Sequence, residues 1–193
     1  MQTRLDDSEI IERVLKGDHQ SYGELVDKHK DYVFTLVLRI VKNREDAEEV
    51  AQDVFIKAYK YLADFRGNSK FTTWIYTIAN NTSISFLRKK RPQVLSIDEE
   101  KVFAAADRQD SGMRANAIEQ KSKLGMVNQA IGLLSPDDAT IITLFYKGEQ
   151  SLEEIAAVLG VEQNTAKVRL HRARARLKEK METHFAAEVR DLY

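Results

Sequence analysis

Apolar residues recur along most of this chain at the three- and four-residue steps of an α-helix. The last third shows the pattern most clearly, with basic residues on the other faces of an apolar stripe made of Ala166, Leu170, Ala173, Leu177 and Met181. Strand signals are weak, because β-branched residues are mostly scattered singly among charged ones and no Asn-Gly or Asp-Gly hairpin pair occurs. The pattern predicts an all-α protein made of two small helical domains joined by a flexible linker.

Helix-start and helix-stop residues divide the first ninety residues into four predicted helices. Asp7 or Ser8 caps a short first helix, which Gly17 ends. A long core helix follows from about residue 19 to residue 42, and a third helix starts soon after it. A loop then leads into a fourth helix, predicted over residues 71–90.

The predicted third helix, REDAEEVAQDVFIKAYKYLADF, is acidic on one face. Small apolar residues recur on the side that would be buried, whereas the opposite side carries Asp46, Glu49, Gln52 and Asp53. Carboxylates spaced along one helix usually form a solvated or partner-binding face rather than a cation site. No metal site is therefore predicted here.

Aromatic, amide and cationic residues are concentrated in the stretch FRGNSKFTTWIYTIANNTSISFLRKK. Its first residues, 65–70, form a predicted loop, and Pro92 ends the helix that follows. Rings for stacking, amides for base edges and cations for phosphates are what unstacked bases require. The alternative is that these aromatic residues simply belong to the core. Trp74 and Ile78, which lie one helical turn apart, would then be the most buried side chains of this stretch.

Residues 93–113 lose the helical period and contain the acidic segments SIDEE and ADRQDSG, which indicates a flexible acidic linker. The first domain is therefore predicted at residues 1–92 and the second at residues 114–193. A random coil of this length spans about 25 to 30 Å. The domains would lie more than one duplex turn apart only if the linker is drawn out.

The second domain is predicted to contain four helices. The first covers about residues 115–133, and a Ser-Pro-Asp-Asp signal at Ser135 starts the next one. A capping box made of Ser151 and Glu154 opens a third helix, and Gly160 lets the backbone turn sharply into the fourth. Two helices joined in this way, the second strongly basic, are typical of a helix-turn-helix whose second helix enters the DNA major groove.

A basic amphipathic helix alone would also fit a solvated face, a membrane-surface helix or a partner-binding helix. Membrane-surface helices prefer large apolar residues on the buried side, whereas two of the five stripe residues here are alanines. Alanine suits close packing against another helix. Together with the capped helix before it, this favours DNA binding.

The formal net charge is zero, from 30 basic and 30 acidic side chains, but the charges are segregated. Between Tyr61 and Pro92 the only acidic residue is Asp64, and the last helix repeats this basic bias. Two basic islands separated by an acidic segment are expected to bind a long polyanion at two places and weakly overall.

Several functional classes are excluded or made improbable by composition. Cysteine is absent, which excludes disulfides, thiolate metal sites and cysteine nucleophiles. The first ten residues contain no apolar signal core, and the most apolar run, residues 33–41, is short and interrupted by Arg39. A soluble, cytoplasmic protein without membrane insertion is therefore expected.

The common nucleotide-binding, hydrolase and zinc-protease motifs do not occur in the sequence. The four histidines are spread out, and all except His171 are expected to be exposed surface residues. We predict neither an enzyme nor a bound cofactor.

Three stretches, in this order, resemble those of the bacterial extracytoplasmic-function (ECF) sigma factors, the smallest group of the sigma-70 family, and the resemblance covers nearly the whole chain. DAEEVAQDVFIKAY resembles the helix that binds the clamp of the largest RNA polymerase subunit. FRGNSKFTTWIYTIANNTSISFLRKK resembles the segment that melts and reads the promoter minus-10 element. SLEEIAAVLGVEQNTAKVRLHRARARL resembles the minus-35-binding helix-turn-helix.

The resemblance implies three sets of site residues. The polymerase-contact set is Asp46, Glu49, Gln52, Asp53 and Phe55. The minus-10 set is Phe65, Arg66, Gly67, Asn68, Ser69, Lys70, Phe71, Trp74, Asn81, Arg88 and Lys89. The minus-35 set is Thr165, Lys167, Val168, His171, Arg172 and Arg174.

Two details follow from this family likeness. The loop 65–70 together with Asn81 resembles a pocket that captures a base flipped out of the non-template strand. Position 168 is commonly polar in relatives and is Val168 here, so contact with a thymine methyl or shape readout is expected. Arg174, Arg176 and Lys178 are expected to face phosphate or solvent.

The resemblance implies a dissociable promoter-specificity subunit that opens DNA by trapping bases. Its implied partners are promoter DNA, core RNA polymerase through the clamp of the largest subunit and the flap of the second-largest subunit, and an anti-sigma factor. Two alternatives stay open at this point. One is a stand-alone helix-turn-helix transcriptional regulator, and the other is an α-helical adaptor that binds only protein.

Overall fold

The computed structural model describes residues 6–90 and 115–185, with side chains described at 6–90 and 124–185. All regular structure within these ranges is helical, as the sequence predicted. The α-helices are α1 Asp7–Leu15, α2 Tyr22–Val41, α3 Arg44–Lys60, α4 Phe71–Lys90, α5 Ala115–Gly132, α6 Pro136–Tyr146, α7 Leu152–Leu159 and α8 Gln163–His184. Short 3-10 turns lie at His19–Ser21 and Leu62–Asp64. The predicted linker, residues 93–113, lies outside the described residues.

The first four helices form a bundle built around α2. This helix packs against α1, α3 and α4, and its residues Leu25, Val33 and Leu36 are fully buried. Each such side chain contributes about 1.5 to 3 kcal/mol when it is removed from water. The prediction of a core helix is confirmed for α2. None of the helices in the described part of the chain is both long enough and apolar enough to cross a membrane.

The start of α1 differs from the predicted one. The N-cap is Asp6, whose carboxylate accepts the Asp7 N–H at 2.8 Å while Glu9 Oε2 accepts the Asp6 N–H at 3.0 Å. Asp7 is instead the first helical residue, and its carboxylate lies 3.1 Å from Nε2 of His29. His29 is buried, so its prediction as an exposed histidine was wrong. The prediction of Asp7 or Ser8 as the cap was therefore wrong, because Asp6 and Glu9 form the capping box one residue earlier.

The last four helices follow the predicted start and stop signals closely. Ser135 Oγ accepts the Asp138 N–H at 3.2 Å at the start of α6. The capping box of Ser151 and Glu154 is complete at the start of α7. Gly160 ends that helix with φ 63°, in the left-handed region that favours glycine.

The two helical groups pack directly against each other, an arrangement that the sequence did not predict. Helix α2 contacts α6 and helix α4 contacts α7, so one continuous apolar cluster runs through both groups. Polar side chains also meet across this contact. The hydroxyl of Tyr32 on α2 donates to the Thr143 carbonyl at 2.9 Å, and the Arg39 guanidinium donates to the Asn128 carbonyl at 3.3 Å.

Candidate nucleic-acid interface

The acidic face predicted for α3 lies at the surface of the bundle. Glu49, Gln52 and Asp53 are exposed, because the small apolar residues of this helix face α2 and α4. Asp46 is half-buried, and its carboxylate is paired with the Lys90 ammonium of α4. Phe55 is also half-buried and packs against the apolar core. Three of the five predicted polymerase contacts are therefore fully presented to a partner.

An open groove of about 490 Å³ lies between α3 and α4. Asp46, Glu49 and Asp53 line it from α3, while Lys89 and Lys90 line it from α4. Within the described residues, no three potential metal-ligating side chains come together at one point. The groove is thus a surface of mixed charge.

Phe65, Phe71 and Trp74 form an aromatic cluster at the start of α4. The Phe65 and Trp74 ring centroids are 5.3 Å apart, and the Phe71 and Trp74 centroids are 5.7 Å apart. Phe71 is only 4% exposed and its ring also lies beside that of buried His29, so it is a core residue. Phe65 and Trp74 are half-buried, and parts of their rings reach solvent. The expectation that Trp74 and Ile78 are the most buried residues here was wrong, because both are half-buried whereas Phe71 is buried. Two rings can therefore offer surface to a base, with the third beneath them.

The loop before α4 carries its polar side chains on the outside. Arg66, Asn68 and Ser69 are exposed, and Gly67 has φ 70°, a left-handed conformation that glycine adopts without strain. The Lys70 ammonium lies 3.0 Å from Oε1 of Glu154 on α7, although two thirds of the lysine side chain remains exposed. The loop is thus tied to the second helical group at its last residue.

Glu154 has two roles in this contact. Its Oε2 accepts the Ser151 N–H at 2.7 Å within the capping box, while its Oε1 faces Lys70. Burial alone would raise the pKa of the Glu154 carboxyl, but the Ser151 N–H and the Lys70 ammonium lower it below its usual value. The carboxylate is therefore held in its charged form beside the loop.

The other predicted minus-10 residues lie farther along α4. Asn81 is exposed and lies seven residues beyond Trp74, which places both on the same face about 10 Å apart along the helix axis. Arg88 and Lys89 are exposed in the last turn, where the helix dipole favours cations. The fold thus places the loop, the two partly exposed rings and Asn81 along one side of the helix.

Helices α7 and α8 form the predicted helix-turn-helix. Ile155 and Val158 of α7 are buried, as are Ala166 and Leu170 of α8, and the two helices pack together. The sharp turn between them begins at Gly160. The apolar stripe predicted for α8 is therefore confirmed at Ala166, Leu170 and Ala173, which are buried, and at Leu177, which packs against the core, whereas Met181 is only half-buried.

The outer face of α8 carries most of the predicted minus-35 residues. Val168 is 48% exposed, and its position is opposite the buried stripe. His171 and Arg172 are exposed one turn farther on, with Lys167 beside Val168 and Thr165 in the first turn. Within the described part of the chain, this face is therefore exposed to solvent.

Two arginines of α8 contact the protein itself. The Arg174 guanidinium lies 4.7 Å from the ring centroid of Phe145 and 5.4 Å from that of Tyr146. Arg176 Nη1 donates to both carboxylate oxygens of buried Asp138, at 2.9 and 2.7 Å. The expectation that Arg176 faces phosphate or solvent therefore holds only in part, because its side chain is 55% exposed but its guanidinium is tied to α6.

The predicted site omitted a set of polar residues that join α4 to the second group, namely Thr73, Asn80, Gln150 and Glu154. The seven-residue spacing of Thr73 and Asn80 places them on one face of α4, which is a detectable polar face. Their partners lie more than seventy residues away in the sequence. A local pattern could therefore indicate a polar face but not what covers it.

Two sigma-factor family models match the chain, one to each helical group. The model of sigma-70 region 2 matches residues 25–93, and the model of sigma-70 region 4 matches residues 124–177. The first covers α2 to α4, and the second covers the helix-turn-helix.

The chain is also similar to individual sigma factors over most of its length. The chain is 33% identical to the ECF RNA polymerase sigma factor SigW of Bacillus subtilis (strain 168), over 89% of this chain and 94% of that protein. It is 35% identical to the RNA polymerase sigma-H factor of Pseudomonas aeruginosa, over 90% of this chain and 93% of that protein. The sigma factor RpoE from Bartonella quintana, solved in complex with the anti-sigma factor NepR, has a similar fold, with a TM-score of 0.68 and 24% sequence identity. The similarity covers 86% of this chain and 99% of that one.

Proposed function

The chain belongs to the extracytoplasmic-function sigma factors of the sigma-70 family, and from this we propose which surfaces carry each step of its work. As an ECF RNA polymerase sigma factor it directs transcription initiation, and it is not an enzyme. It acts with RNA polymerase, in the cytoplasm. A match that spans both helical groups decides against a stand-alone regulator and against a protein-binding adaptor.

The observation that carries the proposal is the order of three exposed surfaces along one chain. The acidic face of α3, the aromatic loop before α4 and the outer face of α8 occur in the order in which the family uses them. We assign residues 1–92 to polymerase docking and minus-10 recognition, residues 93–113 to a linker, and residues 114–193 to minus-35 recognition. The general test is in-vitro transcription by core polymerase and the purified chain on a genomic promoter library, and absence of chain-dependent transcripts would refute it.

Polymerase docking is assigned to the acidic face of α3, against a basic surface on the clamp of the largest subunit. Glu49, Gln52 and Asp53 are available at once, whereas Asp46 becomes available only when Lys90 releases it. Phe55 is half-buried, so we assign it to holding α3 in place. The flap of the second-largest subunit is the partner we propose for the second helical group.

Charge reversal tests the docking assignment. Asp53→Lys should weaken binding to core polymerase by about tenfold or more, which corresponds to about 1.4 kcal/mol. Glu12→Lys, which makes the same charge change at an exposed site on α1, should not. Equal affinities of the two variants in a titration would remove α3 from docking.

Minus-10 opening is assigned to the pocket formed by the loop 65–70, Trp74 and Asn81. Flipping a base costs a few kcal/mol, and stacking on an aromatic ring returns about 1 to 3 kcal/mol per base. Phe65 and Trp74 have the exposed ring surface for this, while Phe71 supports them from the core. The exposed cations Arg66, Arg88 and Lys89 are then placed to hold the backbone.

Permanganate footprinting of the holoenzyme on promoter DNA tests this pocket. Asn81→Ala should reduce opening while polymerase binding is retained. Gln20→Ala, which removes an exposed amide elsewhere in the same bundle, is the control. Opening equal to that of the parent would exclude Asn81 from base capture.

Minus-35 recognition is assigned to the outer face of α8. Lys167 and Arg172 are proposed to bind phosphates or base edges, and Val168 to contact a thymine methyl or read shape. Val168→Ser should then change base preference at one promoter position, measured with holoenzyme on a set of point-substituted promoters. An unchanged preference at every position would exclude a base contact by Val168.

We also propose that an anti-sigma factor binds this chain. The support is the structure of RpoE from Bartonella quintana, which contains the anti-sigma factor NepR. The test is whether a protein that copurifies with the chain inhibits its transcription in vitro. Copurified proteins without inhibitory activity would argue against this partner.

A further inference from the structure

We propose that Asp7 and His29 are positioning residues of the minus-10 pocket, because their contact fixes the aromatic rings that receive a flipped base. The inference rests on the proposed function, since it concerns the base-capture pocket built around Trp74. Neither residue belongs to the proposed promoter or polymerase contacts, so both act through other side chains. The ring of Phe71 connects them to the pocket.

The Asp7 carboxylate at the start of α1 is held by two residues of α2. Its Oδ2 lies 3.1 Å from Nε2 of His29, and its Oδ1 lies 2.7 Å from the Lys28 ammonium. Burial raises the pKa of the Asp7 carboxyl, but these two contacts lower it below its ordinary value, so the group is ionised at neutral pH. An ionised carboxylate can only accept a hydrogen bond. Nε2 of His29 therefore carries the proton and donates it.

This hydrogen bond fixes the orientation of a ring that is almost completely buried. His29 is 6% exposed, and its ring centroid lies 5.4 Å from that of Phe71, with 55° between the two ring planes. A histidine ring with one nitrogen bound to a carboxylate is held in one orientation. Because side chains in a core are closely packed, the orientation of His29 decides where the Phe71 ring can lie.

Phe71 in turn supports the two rings that reach solvent. Its centroid lies 5.8 Å from that of Phe65 and 5.7 Å from that of Trp74, and Phe71 itself is 4% exposed. The Phe65 and Trp74 centroids are 5.3 Å apart. Aromatic pairs prefer offset or edge-to-face arrangements, so a shift of the buried ring displaces both rings that lie above it.

Helix α1 also reaches the pocket by a second route. It packs against the 3-10 turn Leu62–Asp64, and the Leu62 carbonyl accepts the N–H of Phe65 at 3.1 Å. The charge of Asp7 acts on α4 as well, where burial raises the pKa of the Tyr76 hydroxyl and the carboxylate raises it further. The position of α1 therefore affects both the loop and the helix that form the pocket.

The pair contributes position in addition to stability. Ile10, Ile11 and Val14 bury the apolar face of α1, so this helix has an apolar anchor without Asp7. Apolar side chains of the same volume would also avoid the desolvation cost of a buried charged pair. What the pair adds is a directional contact between α1 and His29, the ring that lies beside the floor of the pocket.

Fluorescence of the free protein reports on this positioning directly, because Trp74 is the only tryptophan of the chain. Asp7→Ala removes the carboxylate but leaves the capping box of Asp6 and Glu9 intact, and His29→Phe keeps a ring but has no N–H. Both variants should make Trp74 more accessible to quenching by acrylamide. His29→Gln, whose amide N–H can donate to the same carboxylate, should return the quenching to near that of the parent.

Permanganate footprinting of the holoenzyme then tests whether the pair matters for promoter opening. Asp7→Ala and His29→Phe should each reduce opening about fivefold, which corresponds to roughly 1 kcal/mol of lost stacking, while polymerase binding is retained. The double variant should lose no more than either single variant, because the two residues act as one pair. The control is Val41→Ala, a truncation of a buried side chain about 18 Å along α2 from His29. It should lower Tm but leave quenching and opening unchanged.

Unchanged Trp74 quenching in Asp7→Ala and His29→Phe would overturn the proposal, and so would normal opening in variants whose quenching has changed. Quenching in His29→Gln equal to that in His29→Phe would refute the role of the hydrogen bond. Changes of the same size in Val41→Ala would show that a general loss of stability explains them. If Trp74→Ala and Asn81→Ala open the promoter as the parent does, the pocket assignment itself fails, whatever the fluorescence shows.

Discussion

Replacement of Arg176 should destabilise the second helical group without removing a direct promoter contact. The arginine Nη1 binds both carboxylate oxygens of Asp138, at 2.9 and 2.7 Å. In Arg176→Ala the Asp138 carboxylate would keep the Ser135 hydroxyl at 2.9 Å but lose this cation. A mostly buried charge would then be left without its counter-ion, at the junction of α6 and α8.

The size of the effect follows from the burial of the two partners. Exposed ion pairs contribute about 0.2 to 1 kcal/mol, whereas breaking a buried pair costs about 3 to 5 kcal/mol. Here the Asp138 side chain is 10% exposed and the Arg176 side chain is 55% exposed, so the pair lies between these limits. We expect a loss of about 1 to 2 kcal/mol in the free energy of unfolding. For a chain of this size that lowers Tm by about 2 to 8 °C.

The assay pairs thermal unfolding, followed by helical circular dichroism, with promoter binding by the holoenzyme at several salt concentrations. Arg172→Ala on the same helix is the matched control. It should keep its Tm but, where the arginine binds a phosphate, reduce the salt slope of binding by about 0.9. If Arg176→Ala instead keeps its Tm and reduces the salt slope, the residue contacts phosphate and our reasoning from the ion pair is refuted.

Three further predictions concern stability. Phe71→Ala should cost about 3 to 5 kcal/mol in the free energy of unfolding, as expected for a buried phenylalanine. Trp74 is only half-buried, so Trp74→Ala should cost less stability and instead reduce promoter opening detected with permanganate. Equal losses of stability in the two variants would contradict the assignment of Phe71 to the core. Ser151→Ala should cost about 1 kcal/mol by removing the cap of α7, and a melting curve unchanged from that of the parent would show that the capping box does not stabilise the helix. Burial would raise the pKa of the Asp7 carboxyl, but the bonds from His29 and Lys28 lower it below its ordinary value. The ionised Asp7 therefore stabilises the folded protein at pH values above the ordinary carboxyl pKa. This contribution is lost as the pH falls through the folded-state pKa. Denaturant titrations should therefore show a smaller acid-induced loss in Asp7→Asn than in the parent, and equal losses would contradict a paired Asp7.

The sequence predicted most of the helical structure because the signals for it are local. The helix caps at Ser135 and Ser151 and the turn at Gly160 depend on backbone groups only a few residues away. Their positions were therefore predicted correctly from the sequence alone. The 3.6-residue period likewise determined which sides of α3 and α8 are buried. For the same reason the exposed faces that we assign to polymerase and to the minus-35 element were predictable as surfaces.

Tertiary structure alone decided which distant side chains meet. Asp7 pairs with a histidine 22 residues away, and Arg176 pairs with an aspartate 38 residues away. The contact that joins Thr73 to Gln150 spans 77 residues. No periodicity or cap encodes such a pairing, because it depends on how whole helices pack and not on the order of neighbouring residues. The packing of the two helical groups against each other, and the pairing of Lys70 with Glu154 within it, therefore became visible only in the folded chain.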